Sequence, residues 1–123
     1  MQSTSSGSCA VTAYIYKKDL YISWTGDSRA VLARHSKVVF ATADHKPNNE
    51  LEKKRIEAAG GFVIKFYNDV ARVNGQLAIS RSLGDKYLKP NFVIADPEIY
   101  HTKIQSHDIL IIACDGIWDV LSN

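Results

Sequence analysis

Residues 109–119 read ILIIACDGIWD, an unbroken apolar run followed by two acids. Six apolar residues in a row, three of them isoleucine, are typical of a strand that is buried on both faces. Asp115 stands where this strand leaves the core, and Gly116 allows the chain to turn sharply behind it. A carboxylate at that place can hold a cation, but Asp115 or Asp119 can equally cap a helix that begins near Ile117. The spacing of this stretch favours neither role.

The composition indicates one globular domain with nearly balanced charge. The chain has 123 residues, of which 46% are hydrophobic, so a packed core is expected and disorder is not. The net charge of +2 gives no indication of a nucleic-acid partner, and no segment approaches the roughly 18 apolar residues of a membrane span. Cys9 and Cys114 stand among apolar or small residues and are expected to be buried free thiols. Free thiols are typical of a reducing, intracellular compartment such as the cytoplasm.

Short alternating segments over the first 41 residues predict an antiparallel meander. Residues 1–8 are rich in serine and are expected to form a loose lead-in. Apolar and polar residues alternate in Ala10–Tyr16 and in residues 20–24, and two further short strands are predicted at Arg29–Arg34 and at residues 38–41. Polar turns join these segments, as in sequential hairpins.

A helix and further strands are predicted in the rest of the chain. Asn49, with Glu52 three residues later, forms a capping-box pattern before a helix at residues 50–59, which Gly60-Gly61 would end. Strands are then predicted at residues 62–66, 70–73, 76–80, 92–95 and 98–103, and Asn74-Gly75 is the typical turn of a hairpin. Nine or ten strands with short turns favour two antiparallel sheets packed face to face. The chain stops barely one turn into a second helix, so we expect that part of the domain lies outside it.

Aspartates at predicted turns are the main candidates for a functional site. They are Asp27, Asp44, Asp85, Asp96, Asp115 and Asp119. Magnesium and manganese prefer oxygen ligands, and several carboxylates at strand ends suit such a site. Asp27 and Asp115 are the best candidates, because each adjoins a glycine at the end of an apolar strand. Aspartate is also a common turn residue, so turn or cap roles stay open.

Other catalytic patterns are not evident in the sequence. The four histidines are scattered without the spacing of a zinc site. The sequence contains no Cys-x-x-Cys pair, no phosphate-binding glycine-rich loop and no Gly-x-Ser-x-Gly elbow. Ser28 and Ser80 each stand beside an arginine and have no evident base in sequence, which argues against a nucleophilic serine.

Seven motifs in a fixed order resemble those of one phosphatase family. They occupy residues 26–30 (GDSRA), 44–47 (DHKP), 55–61 (RIEAAGG), 72–75 (RVNG), 80–85 (SRSLGD), 96–98 (DPE) and 115–119 (DGIWD). In this order and spacing they closely resemble the middle and later part of the protein phosphatase type 2C family, the metal-dependent serine/threonine phosphatases. The resemblance covers essentially the whole chain.

The resemblance implies an α+β fold of two packed antiparallel sheets flanked by helices, with a two-metal site of magnesium or manganese at one edge. It implies that a metal-bridging water hydrolyses phosphoserine and phosphothreonine in protein substrates without a phosphoenzyme. By position in the motifs, Asp115 would ligate one of the two core metals, and Asp27 would join it at a third, weaker metal site. Residues 44–85 would include part of a flap beside the substrate.

The sequence also departs from the family pattern. It lacks the family's N-terminal phosphate-binding arginine, the N-terminal metal-site acids with their Asp-Gly-His-Gly-Gly segment, and the last acid, so Asp115 is the sole core-metal ligand. One carboxylate does not hold two divalent ions against water. We therefore expect a partial phosphatase domain that is inactive as an isolated chain and supplies no catalytic residue.

Two alternatives to an inactive partial domain stay open. One is a non-catalytic binding or regulatory protein on the phosphatase scaffold, and the other is an enzyme rebuilt by association with another chain. A partial domain would leave strand edges and apolar faces uncovered. This predicts self-association as a homodimer or a strand-exchanged oligomer.

Overall fold

The computed structural model describes residues 5–123. It contains ten β-strands, two α-helices and one 3-10 helix at Lys86–Leu88. In chain order these are β1 (Gly7–Ser8), β2 (Ala10–Tyr16), β3 (Asp19–Thr25), β4 (Arg29–Arg34), β5 (Lys37–Ala41), α1 (Glu50–Ala58), β6 (Val63–Lys65), β7 (Ala71–Val73), β8 (Leu83–Gly84), β9 (Glu98–Lys103), β10 (Ile109–Ala113) and α2 (Asp115–Trp118). Among residues 5–123, no helix is long and apolar enough to cross a membrane.

Two three-stranded antiparallel sheets form the larger part of the fold. Strand β3 lies between β2 and β9, and β4 lies between β10 and β5. Alternation along each strand sends Leu20, Ile22 and Trp24 of β3 into the same buried cluster as Ala30 and Leu32 of β4. The two sheets therefore contact each other through these faces, which confirms the antiparallel sheets predicted from the alternating pattern.

Helix α1 begins and ends where its sequence predicts. The Asn49 side chain accepts a hydrogen bond of 3.0 Å from the Leu51 amide at the start of the helix. At its other end, the Gly61 amide donates to the Ile56 carbonyl at 3.0 Å, past Gly60 in the left-handed conformation. Both caps are local features, so they can be predicted from sequence.

Helix α1 belongs to a second, smaller core. Ile56 is fully buried together with Val73 of β7 and with Leu88 and Val93 from the segment that follows β8. Strand β7 pairs with β6 in a two-stranded sheet. The described part of the chain is therefore mostly β, with few helices, and its main helix packs beside the small sheet.

The predicted hairpin around Asn74-Gly75 is shorter than expected. Both turn residues have positive φ, as a tight turn requires. Beyond the turn, Val73 and Leu77 form one isolated bridge, and the described structure has no strand at residues 76–80. The chain leaves the ladder because the amide and hydroxyl of Ser80 bond to the loop before α1 instead. The turn was predicted correctly, and the second strand was wrong.

Two further local predictions are also corrected. Residues 92–95 form no strand in the described structure, because Ile94 makes only a single bridge with Arg81. Gly7–Ser8 pairs with Leu83–Gly84 instead of lying loose. Residues 1–4 of the predicted lead-in lie outside the described part of the chain.

Strand β10 is an edge strand, and the prediction that both its faces are buried is wrong. Among residues 5–123 its one neighbour is β4, and Ile109 and Ile111 are 59% and 47% exposed. An apolar run indicates that a strand can be buried, but it does not show which elements pack against the two faces of that strand. Cys9 and Cys114 are free thiols as predicted, but Cys114 is exposed and Cys9 only partly buried.

Candidate functional site

The antiparallel register of β4 and β10 brings the two predicted metal ligands to one edge of their sheet. Ala113, the last residue of β10, lies opposite Arg29, the first residue of β4. Asp27 precedes Arg29 by two residues, and Asp115 follows Ala113 by two. Because the strands run in opposite directions, both acids leave the pair at the same end. The carboxylates are 88 residues apart in sequence, and strand pairing alone places them at one edge.

Asp27 lies in a tight turn and already has two partners. Its Oδ1 atom accepts a hydrogen bond from the Cys9 thiol at 3.1 Å, and its Oδ2 atom pairs with the Lys46 ammonium. Burial acts to raise the pKa of Asp27, but the bonds from Lys46 and Cys9 outweigh it and hold that pKa below its usual value. The same burial raises the pKa of the Cys9 thiol. The Asp27 carboxylate is therefore ionised and paired with a cation of the protein itself.

Asp115 is exposed at the first position of helix α2. The N-cap residue is Cys114, with no side-chain cap bond, and Asp119 lies at the C-cap. The alternative that Asp115 or Asp119 caps the start of a helix is therefore wrong. A carboxylate in a first helical turn is favoured by the helix dipole without being a cap. Among residues 5–123 the Asp115 carboxylate has no hydrogen-bond or ion-pair partner, so it can accept another ligand.

Arg29 contacts both the loop that contains Asp44 and helix α2. Its guanidinium forms a bidentate pair with Asp44, with both N–O distances at 2.9 Å. It also lies 5.4 Å from the ring centre of Trp118, whose Nε1 donates to the Ala113 carbonyl at 2.9 Å. Asp44, one of the six candidate acids, thus serves to hold Arg29. The start of β4 and helix α2 are fixed to each other next to Asp27 and Asp115.

The donor set of residues 5–123 does not fit a two-metal centre by itself. No group of three or more His, Cys, Asp or Glu side chains in this range is arranged to hold a metal ion. Magnesium requires about six oxygen ligands and releases its waters reluctantly. Two carboxylates, one of them already paired with Lys46, fall short of that requirement.

Sequence reasoning missed a polar cluster around two buried side chains. It consists of the buried His45 and Glu52, the partly buried Arg55 and Arg81, and the exposed Glu98. Glu52 is 3% exposed and accepts hydrogen bonds from both Arg81, at 2.6 Å, and Arg55, at 3.0 Å. The expected capping-box bond of Glu52 is replaced by these ion pairs. A glutamate and an arginine three residues apart in a helix, with no apolar stripe between them, look like a solvated face in the sequence.

Comparisons with known proteins point to one family. A family model for protein phosphatase 2C matches residues 1–123. Protein phosphatase 2C 77 from Arabidopsis thaliana is 48% identical over 118 residues, which is 95% of this chain and 27% of the relative. Protein phosphatase 1B from Homo sapiens is 46% identical over 127 residues, which is 96% of this chain and 26% of the relative. The chain thus spans about a quarter of the length of these curated relatives.

A solved structure has the same fold. It is described as a C. elegans sex determining protein, and it superposes with a TM-score of 0.86 at 35% sequence identity. The match covers 94% of this chain and 29% of that one. The arrangement of strands described above is therefore one that occurs inside a larger folded protein.

Proposed function

Because the chain belongs to the protein phosphatase 2C family of serine/threonine phosphatases, we propose that it is part of a metal-dependent enzyme acting on phosphoserine and phosphothreonine proteins. The observation that carries this proposal is the β4–β10 register, which brings Asp27 and Asp115 to one sheet edge. Residues 1–123 are proposed to be a partial catalytic domain. In the complete domain, the two larger sheets would form part of a sandwich flanked by helices.

The proposed cofactor is magnesium or manganese, on which the family typically depends. Asp115 is proposed to ligate a core metal, and Asp27 a third, weaker site. The donors of residues 5–123 do not suffice for a two-metal centre, so the other ligands would come from outside these residues. We therefore propose that the isolated chain is inactive. The free thiols of Cys9 and Cys114 support an intracellular location.

The proposal is tested in a chimera that carries residues 1–123 in place of the matching segment of the Arabidopsis relative. The chimera should hydrolyse a phosphothreonine peptide with manganese, and the isolated chain should not. Asp115→Ala should reduce kcat/KM by on the order of 100-fold or more, because it removes a metal ligand. Asp119→Ala, an exposed acid in the same segment, is the matched control and should change little.

Three outcomes would contradict this proposal. Hydrolysis by the isolated chain that disappears on Asp115→Ala would show that the donors present suffice. Full activity of the chimera with Asp115→Ala would remove Asp115 from the metal site. A chimera that folds and binds manganese but does not hydrolyse the peptide would exclude the catalytic function.

The alternative function is a non-catalytic binding or regulatory protein on the same scaffold. One observation favours it: Lys46 already pairs with Asp27, so this carboxylate has a counter-ion without a metal. The chimera distinguishes the two functions, because a binding scaffold would not restore manganese-dependent hydrolysis.

A further inference from the structure

His45 is buried next to the turn that carries Asp27. Its side chain is 3% exposed. The Gly26 amide donates a hydrogen bond to His45 Nδ1 at 3.0 Å, and the His45 amide donates to the Gly26 carbonyl at 2.9 Å. Two reciprocal hydrogen bonds therefore connect His45 to the residue directly before Asp27.

The bond from Gly26 determines where the imidazole carries its proton. Because Nδ1 accepts a hydrogen bond, the ring is neutral and its proton is on Nε2. A cationic ring would carry a proton on Nδ1, so two N–H donors would face each other and the hydrogen bond from the Gly26 amide would be lost. Burial and the nearby Arg81 guanidinium lower the pKa of His45, against the smaller opposite effects of Glu98 and Glu52. The surroundings of the ring thus favour its neutral form, in which Nδ1 can accept the hydrogen bond from the Gly26 amide.

Further contacts fix the position of His45 itself. Its carbonyl accepts hydrogen bonds from the amide and the hydroxyl of Ser80, both at 2.9 Å. The ring lies parallel to Trp24, with the ring centres 6.2 Å apart. Its Nε2 atom faces Glu98 Oε1 at 3.4 Å, although without the alignment of a hydrogen bond. His45 is therefore a rigid support, held on both its backbone and its ring.

We propose that His45 is a positioning residue whose Nδ1 atom fixes the Gly26–Asp27 turn, and with it the Asp27 carboxylate at the β4–β10 edge. Gly26 has a φ of +101°, and glycine is the residue whose backbone has most freedom to move. An acceptor that holds its amide restricts that freedom. The role of Asp27 as a metal ligand rests on the proposed function, whereas the bond between His45 and Gly26 does not.

Three substitutions in the 123-residue chain separate this role from simple packing. His45→Asn keeps an acceptor at the δ position, His45→Gln moves the acceptor one carbon further out, and His45→Leu removes it. Exchange of the Gly26 amide should rise about tenfold in the Gln and Leu variants and stay within about threefold in the Asn variant, as expected for one lost hydrogen bond. Packing alone predicts the opposite order, because glutamine fills more of the histidine volume than asparagine does.

A measurement on the unsubstituted chain makes the test independent of variant folding. Nitrogen-15 spectra of the ring should show an unprotonated Nδ1 coupled to the Gly26 amide and a proton on Nε2. A proton on Nδ1 would overturn the proposal. Equal protection of Gly26 in the Asn and Gln variants would overturn it as well.

The chimera gives the functional arm of the test. His45→Gln should raise the manganese concentration for half-maximal activity about tenfold with KM for the phosphopeptide unchanged, whereas His45→Asn should match the parent. Equal manganese requirements in the parent and all three variants would overturn the positioning role. An inactive parent chimera would instead refute the proposed function, while the Gly26 exchange data would still decide whether His45 holds the turn.

Discussion

Glu52 is buried in helix α1, although glutamate is usually a surface residue. Burial acts to raise the pKa of its carboxyl group, but the hydrogen bonds from Arg81 and Arg55 outweigh burial and lower that pKa to about 2. Arg81 also lies 3.3 Å from Glu98 at the start of β9. At the scale of single residues, this carboxylate therefore connects the main helix to the rest of the fold.

Replacing Glu52 with glutamine is expected to destabilise the chain by on the order of 3 kcal/mol, because it removes the buried carboxylate that pairs with the partly buried Arg81 and Arg55. Arg81 would keep only its longer contact with the exposed Glu98. Urea denaturation measures the change in the free energy of unfolding. Glu57→Gln is the matched control, since Glu57 is half exposed and lies 3.8 Å from Lys53. That change should cost less than about 0.5 kcal/mol, and equal costs for both variants would contradict the role of Glu52.

The difference in unfolding free energy between the parent and Glu52→Gln is expected to depend on pH. The pKa of Glu52 is lower in the folded state than its ordinary value of 4.5, so the unfolded chain binds the proton more readily as the solution is acidified. The contribution of Glu52 is therefore fully present above about pH 4.5 and is lost as the pH falls towards about 2. The difference in unfolding free energy between the parent and Glu52→Gln should narrow over that range, and a constant difference would count against it.

At the scale of elements, β1 and β8 show how closely two strands can approach. Gly7 lies opposite Gly84 in this pair, and Gly84 has a φ of +82°. A Cβ atom on Gly84 would lie 2.3 Å from the backbone oxygen of Ser6 and 2.9 Å from Gly7 Cα. Glycine is therefore required at position 84 both for its backbone conformation and for the space that it leaves.

Gly84→Ala is expected to destabilise the fold by about 2–4 kcal/mol, the sum of backbone strain and the clash with the opposite strand. The control is Gly60→Ala, because Gly60 has a similar φ of +86° and no atom of residues 5–123 would lie within 4 Å of its Cβ. That variant should lose only the strain, about 1 kcal/mol. Thermal unfolding of the two variants compares them directly, and similar losses would show that the close approach does not matter.

At the scale of the whole molecule, the described residues leave large apolar surfaces in contact with solvent. Ile109 and Ile111 of β10 and Ile15 of β2 are about half exposed, and Ile99 of β9 is 68% exposed. Strand β10 has one hydrogen-bonded neighbour, so its other edge offers free backbone groups to a further strand. Exposed apolar strands at a sheet edge favour association with another chain.

We therefore expect the 123-residue chain to self-associate at micromolar concentration, with a mass above the 13.7 kDa of one copy in light scattering. Replacing both Ile109 and Ile111 with lysine should shift the mass towards a monomer, because charges at a strand edge oppose pairing. Tyr67→Lys, a change at a side chain that is 94% exposed in a loop, should leave the mass unchanged. A monodisperse parent monomer would contradict this prediction.

Local features of this protein could be predicted from its sequence. Alternation of apolar and polar residues predicted β2 to β5 nearly to the residue, and Asn49 with Gly60-Gly61 predicted the ends of α1. Both signals depend on neighbours a few residues away, which the sequence contains. The seven motifs predicted the family, and the comparisons confirmed it.

Only the tertiary structure decided which side chains meet. Lys46 pairs with Asp27 across 19 residues, Arg81 pairs with Glu52 across 29, and Arg29 lies over Trp118, 89 residues away. Such contacts depend on strand register and helix packing, because a charge can pair with any opposite charge that the fold brings near. The opening stretch ILIIACDGIWD shows both sides. Its composition indicated a strand followed by an acid. The outer position of β10 in its sheet, and the common end of the β4–β10 pair at which Asp115 and Asp27 lie, are decided by strand pairing.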